Sequence, residues 1–107
     1  MNTNKADSII RKSIAVLPFV NMSTDVDNEY FSDGITEEII NALTRIKGLK
    51  VIARTSSFSF KNKNIDVRQI GKQLDVSTVL EGSVRKVKNR VRITGQLIDT
   101  TDGTHLW

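Results

Sequence analysis

The sequence predicts a mixed α/β (α+β) fold in the order strand, helix, strand, helix, strand, strand, with two helices packed on one face of the sheet. Three observations carry this. Ile35, Ile39, Leu43 and Ile46 recur at helical spacing with Gly48 just beyond as a C-cap. A second helix is announced by its own start signals at Asp66. Thr78 to Asp99 alternates so that it folds back on itself as an antiparallel hairpin.

The elements follow in order. Ser13 to Phe19, SIAVLPF, is a short apolar run closed by the only proline, Pro18, and reads as a buried strand ending in a loop. The polar stretch Asn21 to Asn28 leads into the first helix, whose start lies either near Asn28 or at Asp33-Gly34; an interior glycine costs a helix about 1 kcal/mol. Leu49 to Ala53 supplies the second strand, followed by a hydroxyl-rich loop. Asp66 with Gln69 forms a capping box and Ile65 with Ile70 a hydrophobic staple, leaving Ile70 and Leu74 towards the core.

In the hairpin, Lys88-Asn89 as the turn sets Lys86 opposite Val91, Val84 opposite Ile93, Gly82 opposite Gly95 and Leu80 opposite Leu97. The apolar side chains then share one face, and a slip of one residue would scatter them, so burial selects this register. The Gly82–Gly95 pair leaves a dent that a helix is expected to fill. The opposite face pairs Arg85 with Arg92, a like-charge contact that water, an acidic helix or a partner must relieve.

A chain of 107 residues supports one core and one domain; residues 1–12 read as a flexible linker and 13–107 as the domain. With 38% hydrophobic and 26% charged residues, a mostly disordered or collagen-like chain is excluded. The absence of cysteine excludes disulfides, thiolate metal sites and cysteine nucleophiles. No apolar run approaches a membrane span, and the amino end lacks a signal-peptide core. The net charge of +4 resides in the carboxyl half: residues 61–107 carry nine basic and five acidic side chains, residues 1–60 seven of each.

Few residues offer chemistry. The six carboxylates between Asp25 and Glu38 read as a helix amino end favoured by the macrodipole, each contributing about 0.3–1 kcal/mol. With no histidine or cysteine nearby they form no transition-metal set, and no cofactor is expected. Thr55, Ser56 and Ser57, flanked by Arg54 and Lys61, could form an anion- or partner-binding loop if backbone N–H groups converge there; turn and capping roles are the commoner use of such hydroxyls. Arg85, Lys86, Lys88, Arg90 and Arg92 form a basic hairpin surface. It would attract nucleic acid, but it has no aromatic side chain on which bases could stack. The lone histidine, His105, is poorly placed for general-base work so near the terminus.

The segments AVLPF (15–19), EYFSDGITEEIINAL (29–43), VIARTSSFSFK (51–61), DVRQIGKQLDV (66–76), LEGSVRK (80–86), VRITGQLID (91–99) and GTHLW (103–107) together resemble the TolB amino-terminal-domain-like family. The resemblance covers about residues 13–107. It implies a non-enzymatic interaction or signal-relay domain of a larger bacterial regulatory protein, beside tetratricopeptide repeats, a class III adenylate cyclase domain, or a helix-turn-helix DNA-binding domain with a membrane span. It also implies a last strand extending past Trp107, protein partners or self-association, and a place on the envelope side of an anchored parent or in the cytoplasm. It carries over no ligand residue. Nucleic-acid binding by the hairpin and small-molecule sensing in an apolar cleft are the alternatives; direct membrane contact is not expected.

Overall fold

The computed structural model describes residues 12–107; the amino-terminal linker expected at 1–12 falls almost wholly outside them. The elements are β1 (Ser13–Val16), β2 (Val20–Asn21), α1 (Asn28–Leu43), β3 (Lys50–Val51), α2 (Arg54–Phe58), α3 (Val67–Leu74), β4 (Thr78–Val87) and β5 (Arg90–Asp99). The expected fold class and element order are present, with two additions. The first apolar run is split at Leu17–Phe19 into β1 and β2, because Pro18 has no N–H to give to a ladder. The hydroxyl-rich loop holds a short helix, α2.

The long strand β4 organises the sheet. Along one edge its first half pairs in parallel with β1 and its second half with β2. Along the other edge all ten residues pair with β5, in the register that burial selects: Leu80 with Leu97, Gly82 with Gly95, Val84 with Ile93, Arg85 with Arg92. β3 pairs in parallel with the far side of β1.

The helices do not share one face. Val79 belongs to a cluster with Ala15, Leu17, Phe60, Ile70 and Val76, against which Val67 and Leu74 of α3 pack. Val84, five positions further along β4, forms another cluster with Val16, Phe19 and Ile40 under Ile35, Ile39 and Leu43 of α1. Adjacent strand positions point to opposite faces, and Ala15 and Val16 of β1 go to different clusters, so α1 and α3 lie on opposite sides. Connectivity explains this. The chain steps from β1 outward to β3 and then back past β1 to β4, and right-handed crossovers in opposite directions place their helices on opposite faces. All four residues of β1 are accordingly buried.

α1 begins at Asn28 and contains Gly34 in its interior. It ends at Leu43, which leaves Ile46 more than half exposed outside the core expected for it. Asp66 is the N-cap of α3, but it is held by Arg68, one residue before the Gln69 of the expected capping box: its Oδ1 accepts from the Arg68 N–H at 2.8 Å, while the Arg68 guanidinium folds back onto Oδ2 at 2.7 Å. The side-chain hydrogen bond from Arg68, then its backbone N–H, pull the Asp66 carboxyl down from 3.8 to about 2. A depressed carboxyl pKa stabilises the fold above the unfolded value and loses that contribution as pH falls through the folded one. We therefore expect the wild type to lose stability between pH 3.8 and about 2 more steeply than Asp66→Asn, in chemical denaturation at a series of pH values. Parallel curves would show that the cap carries no such linkage.

Candidate interaction surfaces

Arg54 and Lys61 do not frame an open anion loop. The Arg54 guanidinium stacks on the Phe58 ring at 4.1 Å and donates to Glu37 Oε2 at 2.7 Å. Lys61 Nζ lies 2.7 Å from Asp33 Oδ2 and 3.0 Å from Glu29 Oε2. Its pKa is raised, chiefly by the hydrogen bond to Asp33, against the opposing effect of burial. Three of the six carboxylates expected to serve the helix dipole are thus partners that clamp α2 and the turn after it against α1. Thr55 and Ser56 are exposed beside a shallow hollow with Gln73 and Leu74, whereas Ser57 is fully buried. Neither Ser57 Oγ nor Asp33 Oδ1 has a hydrogen-bond partner among the described residues.

The basic hairpin residues are divided by the pleat. Lys86 turns to the α1 face, where its ammonium lies 5.1 Å from the Phe31 ring centroid. Arg85 and Arg92 are cross-strand neighbours on the opposite face, Lys88 sits in the turn at φ 55°, and Arg90 begins β5. No ion pair joins any of the five to a carboxylate among the described residues.

The dent between Gly82 and Gly95 is filled by rings instead of a helix. The Phe19 ring covers Gly82, and a Cβ on Gly95 would lie 3.9 Å from Trp107 Cζ3. The carboxyl end reaches this place by folding back along β5: Leu106 N donates to Leu97 O at 2.7 Å and Leu97 N to Trp107 O at 2.8 Å. Farther out, Val91 and Ile93 stay 45% and 50% exposed, because α1 covers β4 and stops short of β5.

On α1 itself, Ser32, Thr36 and Ile40 are buried against the sheet. The outer side carries a groove of about 460 Å³ lined by Tyr30, Phe31, Gly34, Ile35, Glu38 and Asn41 among others. A Cβ at Gly34 would meet nothing within 4 Å. Sequence reasoning missed this groove, and the unexplained interior glycine was its signal.

Residues 10–107 match the family described as "HilA/YgeH-like transcriptional regulator, second domain". The chain belongs to that family. The family shown is this regulator domain and not the TolB amino-terminal-domain-like family that the sequence resembles. Over 97 residues the chain is 57% identical to a Rhizobium meliloti (strain 1021) protein named "Putative adenylate cyclase 3"; the match takes in 91% of this chain and 16% of that protein.

Solved structures share the fold. Lipoprotein GNA1162 from Neisseria meningitidis superposes with a TM-score of 0.70 at 19% identity, over 90% of this chain and 75% of that one. The LpoB C-terminal domain from Escherichia coli gives 0.67 at 18%, over 91% and 78%. PelC from Paraburkholderia phytofirmans, solved as a dodecamer, gives 0.57 at 18%, over 92% and 68%. At such identities the likeness is one of fold alone. Among the described residues no helix is long and apolar enough to cross a membrane.

Proposed function

We propose that this chain is a non-enzymatic interaction domain that relays a signal to an output domain elsewhere in a larger bacterial regulator, in the manner the TolB amino-terminal-domain-like resemblance implies. The observation that carries the reading is the 57% identity to one sixth of a much longer protein named for a cyclase activity. A regulator-domain family description supports it, as does a surface whose exposed side chains include Tyr30, Val91, Ile93 and Trp107. The charged groups engage one another in ion pairs at the α1–α2 seam. Nucleic-acid binding is the weaker reading: Arg85, Arg90 and Arg92 share one face of the hairpin, but Lys86 is turned to the other face against Phe31 and the hairpin carries no aromatic side chain on which a base could stack.

A chimaera tests the relay. In the Rhizobium meliloti protein, replacing the matching 97-residue segment by this chain is expected to keep the regulated output, and deleting the segment is expected to change the output level without abolishing it. If deletion leaves level and regulation untouched, the relay reading is wrong. Binding of DNA by the isolated chain, with affinity falling steeply between 50 and 200 mM salt (roughly the span over which phosphate contacts lose their hold), would establish the nucleic-acid reading in its place.

A further inference from the structure

Two features of one face are left without a purpose inside the chain. Gly34 sits in the interior of α1, where glycine disfavours the helix, yet nothing within 4 Å would obstruct a Cβ there. An interior glycine with open space above it lets another surface come close to the helix backbone. Beside α1 on the same face of the sheet, β5 is bare: Val91, Ile93 and the Trp107 ring over Gly95 form an exposed apolar strip.

Building on the interaction-domain reading, we infer that a second copy of this chain covers both features. The α1 groove at Gly34 of each copy receives the β5 strip of the other, about a two-fold axis that lies between the two sheets and runs parallel to their strands. The arrangement follows from placement. α1 lies over β1 and β4, and β5 lies to one side. A two-fold along the strands stacks the faces so that each α1 lies over the other copy's β5. It also keeps corresponding ends together. The α1 amino end lies at the hairpin end of the sheet, where Ser23 accepts from Lys86 N.

Charge agrees with this pairing. The approach to α1 brings Asp25 and Asp27, neither of them in an ion pair among the described residues, to the hairpin end that bears Lys88 in its turn. The contact is self-complementary, the acidic approach to one helix against the Lys88 turn of the other copy, as a closed two-fold interface requires. Tyr30, 83% exposed at the groove, is the aromatic anchor of the kind that dominates such interfaces.

The chain has no cysteine, so crosslinking tests the geometry directly. A mixture of Tyr30→Cys and Ile93→Cys chains, oxidised gently, is expected to form the mixed disulfide at least tenfold faster than Tyr30→Cys with Lys72→Cys, whose site lies on α3 on the other face. Equal rates overturn the inference. Gly34→Gln is expected to raise the melting temperature, since glutamine favours helix and meets open space, and to weaken self-association at least tenfold by sedimentation. Unchanged association in that more stable variant overturns the inference too. If the wild-type chain stays monomeric at several hundred micromolar while the chimaera still relays, the pairing is wrong and the domain reading stands. A chimaera insensitive to deletion would remove the relay reading whatever the crosslinks show.

Discussion

Gly82→Ala is expected to destabilise the fold by about 3 kcal/mol, the upper end of the range for overpacking a close contact and a large part of the 5–15 kcal/mol typical of a domain. The new methyl group would overlap the Thr94 carbonyl oxygen and approach Phe19 Cε2 to 2.7 Å and Cζ to 3.0 Å. Neither neighbour can retreat. Thr94 is held in the β4–β5 ladder opposite Ser83, and the Phe19 ring is 2% exposed in the cluster with Val16, Ile40 and Val84. Gly95 lies directly across the ladder and provides the control, since its Cβ would make only ordinary contacts with Leu80 at 3.8 Å and Trp107 at 3.9 Å. Gly95→Ala is therefore expected to shift stability by no more than about 0.5–1 kcal/mol, in the stabilising direction given by the conformational cost of glycine. Urea denaturation of the two variants decides the matter, and equal effects would refute the packing argument.

Much of this fold could be read from the residues, and the exceptions have physical causes. The hairpin register was legible because only one alignment of Thr78–Asp99 gathers Leu80, Val84, Ile93 and Leu97 on one face. The start of α3 was legible because a cap is a local chemical event, complete within Ile65–Ile70. The side on which each helix packs was not, because it depends on which strand the chain visits next. Until β3 is known to lie outside β1, periodicity alone cannot tell one face from the other. α2 was hidden for another reason. Arg54-Thr-Ser-Ser-Phe58 has little intrinsic helical preference, and its ion pairs reach back to Glu37, with Lys61 just beyond it reaching Asp33 and Glu29.

The surface follows the same division. The like-charged Arg85–Arg92 pair was visible in the sequence, whereas the diversion of Lys86 to the Phe31 ring needed α1 in place. The acidic run Asp25–Glu38 looked like a helix amino end, and its partners came from a segment 17 to 32 residues further on, a separation no local pattern encodes. Gly34 was conspicuous in the sequence as a conformational oddity, but only the open space above it turns the oddity into a groove.

Thr36→Val is expected to cost about 2 kcal/mol, within the range for leaving a buried donor unmatched, although it preserves volume almost completely. Phe19 lies where Pro18 interrupts the pairing of β1 and β2 with β4, and its N–H is donated to Thr36 Oγ1 at 2.9 Å. Thr36 Oγ1 in turn donates to Ser32 O at 3.0 Å, and the side chain is fully buried. Valine fills the space and leaves the Phe19 N–H orphaned in an apolar cluster. Thr36→Ser offers the contrast, since it keeps the hydroxyl and removes one methyl group, a loss of about 1 kcal/mol. If packing alone held α1 to the strand break, serine would be the worse substitution. The hydrogen bond requires valine to be the worse, and denaturation of the two variants reads the order directly.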